Sequence, residues 1–215
     1  YLGGNFFFSD PTSYCAKFTD DNELDKIIAD DDTVTPDGLR DSILTFLAVC
    51  AYKKMKGESN CNFMIHPNVK IDVHNKFVTR VQEFLNLLEV SQNEKGYDKA
   101  LRAIWAYLQH TKPDFPYYED IKEGISEILE NTEIMVVPLN SKSFVCRDST
   151  NPDALDLSKG FNIVIGGNTL GRGITFPHLQ TVYYCRSAKR MQADTFWQHS
   201  RIFGYDREKE LVRIY

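Results

Sequence analysis

Between residues 161 and 215 the chain alternates short apolar runs with polar, glycine-bearing turns, and no other segment restricts its fold as much. Phe161-Asn-Ile-Val-Ile165 is short and almost wholly apolar, the signature of a strand buried on both faces. It runs directly into Gly166-Gly167-Asn168-Thr169-Leu170-Gly171-Arg172-Gly173. A second run over 181–185 gives another strand, 191–201 has helical spacing, and 211–215 reads as a last strand. Strands separated by helices require a parallel sheet covered by helices on both faces.

The upstream sequence extends the same pattern. A helix is expected over 37–56, capped by Asp37, with Leu39, Ile43, Leu44, Phe46, Leu47 and Cys50 on its apolar side. Residues 62–65 form a short buried strand that ends at His66-Pro67. Helices follow over 72–88, 97–109 and 117–130, then a strand over 133–138. This helical stretch exceeds one crossover, so a helical insertion is expected at about 90–131. Residues 37–215 are read as one domain. Residues 1–36 are acidic, offer few core residues, and are read as a connector from an upstream domain. The chain lacks an initiator Met and stops inside a strand, as part of a longer protein would.

Bulk properties narrow the class. The 215 residues are 42% hydrophobic, enough for a sizeable core, and no apolar run approaches a membrane span. The five cysteines are scattered without a C-x-x-C pair, which suits reduced thiols in a cytoplasmic protein. The net charge of −5 is uneven: residues 159–215 hold nine Lys and Arg against four Asp and Glu. That locally basic segment can meet phosphates although the whole chain is acidic.

The glycine turn invites comparison with a phosphate-binding loop. Gly166 and Gly171 have the spacing, but Arg172 stands where Lys is needed and Gly173 where the Mg²⁺-binding hydroxyl is needed. A phosphate loop is therefore excluded. The second cluster is Gln198-His199-Ser200-Arg201-Ile202-Phe203-Gly204-Tyr205-Asp206-Arg207, at the end of a helix. Two arginines six apart can reach one polyphosphate, because each guanidinium is a permanently charged planar fork.

Taken together, the two clusters resemble motifs V and VI of superfamily 2 helicases. The closer resemblance is to the Z-one domain family of restriction- and defence-associated ATPases. It is carried by Gly166-Gly167-Asn168, Leu170, Arg172-Gly173-Ile174-Thr175, Tyr183-Tyr184, Asp194-Thr195, Gln198, Arg201 and Phe203-Gly204-Tyr205. Thr175 replaces the Asp of many superfamily members, Ser200 replaces a Gly, and the second motif VI arginine, Arg207, is displaced past Asp206.

The resemblance implies a second RecA-like domain, a parallel α/β sheet that completes an ATP site with an upstream RecA-like domain. ATP and Mg²⁺ would be held mainly by that upstream domain. Arg201 and Arg207 would be catalytic, Arg201 meeting the γ-phosphate. Arg172, Gly173, Thr175 and Gln198 would serve the nucleotide, with Gln198 coupling domain closure to it. Asn168 and Thr169 would bond the phosphate backbone of DNA, and the polar tip of His66 would face the nucleic-acid groove. The competing expectation is a helicase-like scaffold that has lost catalysis.

Overall fold

A computed structural model describes residues 15–17, 19–20, 22–29, 35–67, 71–91, 94–139, 156–167, 176–185 and 206–215. Strands β1 (Asn60–His66), β2 (Ile134–Leu139), β3 (Gly160–Gly166), β4 (Leu179–Tyr184) and β5 (Arg213–Ile214) form a single sheet. Its order is β2-β3-β1-β4-β5, and every pairing is parallel. The α/β class expected from the alternation of elements is therefore present, in the general arrangement of a RecA-like domain. Among the described residues five α-helices accompany the sheet: α1 (Glu23–Ile28), α2 (Asp37–Met55), α3 (Ile71–Ser91), α4 (Lys95–Thr111) and α5 (Tyr118–Glu130).

Alternation along the strands divides the core in two. Cys61, Phe63, Ile65, Phe161, Ile163, Ile165 and Tyr183 pack with the buried residues of α1 to α5. Met64, Val164, Val182 and Ile214 point the other way and pack with Cys15, Leu157 and Phe176. The helix expected over 191–201 lies outside the described residues.

Helix α2 is buried almost all round, from Ser42 to Lys53 without interruption. Such a helix needs partners on several sides, and α4 and α5 supply them. Gly124 of α5 crosses α2 so closely that a Cβ there would lie 2.9 Å from the Ala51 Cβ. Asp37 does not cap α2. Pro36 holds the N-cap position, and Asp37, the first helical residue, pairs with Arg40 at 2.6 Å. Proline's fixed extended backbone ends the preceding segment, which moves the helix start one residue earlier than the Asp suggested.

The helical block is fastened at both ends. Asp98 of α4 accepts from Arg102 Nε at 2.8 Å, Tyr118 Oη at 2.8 Å and Lys122 Nζ at 3.1 Å. At its far end, Arg213 of β5 is 1% exposed and donates to Tyr107 O at 3.2 Å and Thr111 Oγ1 at 2.7 Å. The Arg213 guanidinium thus meets the electron-rich C-terminus of α4.

Candidate functional site

In a parallel sheet the ligand-bearing crevice opens at the carboxyl ends of the strands, where neighbouring connections leave in opposite directions. Here that point falls between β1 and β4. The chain leaving β1 travels to the β2 edge, and the chain leaving β4 travels to β5. His66 closes β1 and is opposite Tyr184 in register, their rings 5.0 Å apart. The N–H of Cys185 donates to His66 O at 3.3 Å. His66 is completely buried, so its ring is part of the packing between β1 and β4 and presents no open surface. Gly166, the last residue of β3, lies one strand away on the same edge.

The glycine turn occupies the connection from β3 to β4. Asn168, Thr169, Arg172, Gly173 and Thr175 lie outside the described residues, as do Gln198 and Arg201 in the connection from β4 to β5. The flanks of both connections are described. At the opposite edge of the sheet Asn62 and Asn162 join β1 to β3 through a buried amide bond of 3.0 Å. Asn62 Nδ2 also donates to Leu157 O at 2.8 Å and Pro177 O at 2.5 Å, fixing the entries to β3 and β4.

Arg207 lies at this second edge. Its guanidinium donates to Phe176 O at 2.8 Å and pairs with Asp206. Its side chain is 8% exposed. Burial lowers the Arg207 pKa, and the Asp206 charge opposes that shift. Burial would raise the Asp206 pKa, but the His178 N–H and the Arg207 charge outweigh it and the net shift is downward. The largely buried Arg207 charge is therefore matched by a carboxylate that stays open to solvent.

The Asp206-Arg207 pair also holds strained backbone. His178 has φ 52°, a left-handed conformation unusual for a residue with a side chain. Its N–H donates to Asp206 Oδ2 at 2.5 Å, and its carbonyl accepts from Asn62 N–H at 3.0 Å. Asp206 and Arg207 thus grip both sides of Pro177, immediately after the glycine turn ends at Thr175. The grip of Asp206 and the strain at His178 were not legible in the sequence; the only hint was an Asp-Arg dipeptide following Gly-Tyr.

His66 and Arg207 are at opposite edges of the sheet. The six residues of β4 separate them by about 20 Å at a strand rise of ~3.3 Å per residue. No single small ligand can touch both. Among the described residues no three His, Cys, Asp or Glu side chains gather as a metal site. No described helix is long and apolar enough to cross a membrane.

An all-parallel five-stranded sheet with a glycine turn leaving the strand beside its centre defines an α/β domain of RecA-like arrangement. The profile of the Z1 domain matches residues 38–215, and the chain belongs to that family. No curated protein and no solved structure matches the chain.

Proposed function

We propose that this chain is the second motor domain of an ATP-dependent DNA helicase- or translocase-type protein, working in a bacterial restriction or DNA-processing system in the cytoplasm. One observation carries the reading most directly. The two motif-bearing connections are tied at their exits by Asp206-Arg207 on Phe176 and His178. A domain that transmits nucleotide state needs its two phosphate-facing segments to move together, and this grip joins them.

In this reading ATP and Mg²⁺ are held mainly by an upstream RecA-like domain, and ATP hydrolysis supplies the energy. Arg207, turned inward onto a backbone carbonyl, does not fit a direct phosphate ligand and acts by positioning. Arg201 is then the arginine that faces the γ-phosphate. Gln198, Arg172, Gly173 and Thr175 complete this domain's side of the nucleotide, and Asn168 and Thr169 meet the DNA backbone.

The test is Arg201→Ala in a protein that includes the upstream domain. An arginine supplied to a transferring phosphoryl group is worth about 10³–10⁵ in rate. The variant should therefore lose about a thousandfold or more in ATP turnover while keeping its fold by circular dichroism. Turnover at the wild-type rate would remove Arg201 from the chemistry. A wild-type protein with no DNA-stimulated turnover would point to a helicase-like scaffold instead.

A further inference from the structure

The described residues 15–17, 19–20 and 22–29 cross the domain as a strap fastened at three places. At one end Lys17 N–H donates to Ile214 O at 2.8 Å, and Ile214 N–H donates to Cys15 O at 2.7 Å. Ala16 thereby bridges β5 in parallel register. At the other end Ile27 is 2% exposed, and Lys76 Nζ of α3 donates to Ile28 O at 2.6 Å.

The middle fastening is a buried carboxylate. Glu23 is 3% exposed, and burying a charge is costly unless its oxygens are satisfied. Oε1 accepts from Gly38 N–H at 2.7 Å, and Oε2 accepts from Tyr183 Oη at 2.5 Å. Gly38 is the second residue of α2, so its amide has no partner within the helix and lies at the helix's positive end. A Cβ at position 38 would lie 2.6 and 2.8 Å from the two Glu23 oxygens and 2.3 Å from Thr19 Cγ2. Glycine at 38 is what lets the strap seat.

Tyr183 is the next-to-last residue of β4. Cys185, two residues on, donates its N–H to His66 O at 3.3 Å. Burial raises the Cys185 thiol pKa and the Glu23 charge raises it further, which agrees with a carboxylate close behind this strand end. Beyond Cys185 the chain enters 186–205, which contains Gln198 and Arg201.

We infer that Glu23 is a latch whose seating between Gly38 and Tyr183 fixes the carboxyl end of β4, so that lifting the strap loosens residues 183–185. The inference stands on this geometry alone and does not depend on the motor reading. It makes the acidic segment around Glu23 a control element for the carboxyl end of β4.

Amide hydrogen exchange on this chain, read by mass spectrometry, tests the latch. Glu23→Gln should exchange at least about tenfold faster over 15–29 and also over 183–185, with α4 and α5 unchanged. Gly38→Ala keeps the carboxylate but denies it the seat, and should give the same pattern. Asp25→Asn, on the exposed side of the same short helix, should exchange as the wild type does. Tyr183→Phe removes only one hydroxyl and should loosen the same two regions to a smaller degree. Faster exchange confined to the strap would overturn the inference, as would Tyr183→Phe leaving both regions at wild-type rates.

Discussion

Asn62 has two neutral hydrogen bonds to carbonyls and accepts a third from Asn162, all within the sheet's buried entry edge. Replacing it removes the donor for Leu157 O and Pro177 O and the acceptor for Asn162 Nδ2. Each buried polar group left unsatisfied costs roughly 1–3 kcal/mol. Asn162 retains Lys159 O at 2.9 Å, so the carbonyls bear most of the loss. Asn62→Ala should lower unfolding free energy by about 2–4 kcal/mol in urea, with the denaturant slope unchanged. A loss under about 0.5 kcal/mol would mean that water already satisfies these groups. Little of this was legible beforehand. Asn62 and Asn162 each read as one polar residue inside an apolar run, and only the β1–β3 register places them side by side.

Elements were far more legible than their partners. The apolar runs at 62–65, 133–138 and 161–165 correspond to β1, β2 and β3, and the helices at 72–88, 97–109 and 117–130 correspond to α3, α4 and α5, with ends shifted by a few residues. The reason is physical: strands buried on both faces, as β1 and β3 are, need a continuous apolar run, and a half-buried helix needs apolar spacing, while β2 keeps its apolar run at a partly exposed sheet edge. The last strand was less legible. Residues 209–211 form a 3₁₀ turn, leaving only Arg213–Ile214 for β5. The strand order also escaped, because it depends on which side each crossover packs. The acidic segment 1–36 was read as a connector with few core residues, yet Glu23 and Ile27 are buried there.

At the same scale, the α4–α5 junction carries a pH prediction. The Asp98 pKa is lowered to about 2, chiefly by its hydrogen bonds from Arg102, Tyr118 and Lys122. A carboxylate with a depressed folded pKa contributes stability above its unfolded pKa and loses it as pH falls through the folded one. The wild type should therefore melt above Asp98→Asn at about pH 5 and higher. The gap should close between about pH 4 and pH 2. A gap that persists unchanged at about pH 2 would assign the difference to hydrogen-bond geometry, since the charge would no longer contribute.

At the scale of the whole molecule, the basic segment is less available than its composition suggests. Nine Lys and Arg fall in residues 159–215. Two of them are committed inward: Arg213 to the end of α4 and Arg207 to Phe176 and Asp206. A strongly basic face would bind DNA with a slope of log affinity against log salt near −0.9 per neutralised phosphate. With the inward arginines subtracted, this chain should bind duplex DNA weakly, with a slope of only about −2 to −4. On the proposed motor reading, Asn168→Ala should weaken binding to all sequences alike with little change in slope, as expected for a neutral backbone contact. Arg207→Ala should leave the slope as it is, because its charge faces Asp206 and a carbonyl. Fluorescence anisotropy at several salt concentrations reads both variants in one experiment. A flattened slope in Arg207→Ala with unaltered affinity in Asn168→Ala would place the DNA at the opposite edge of the sheet, and the assignment of the glycine turn to the track would fall with it.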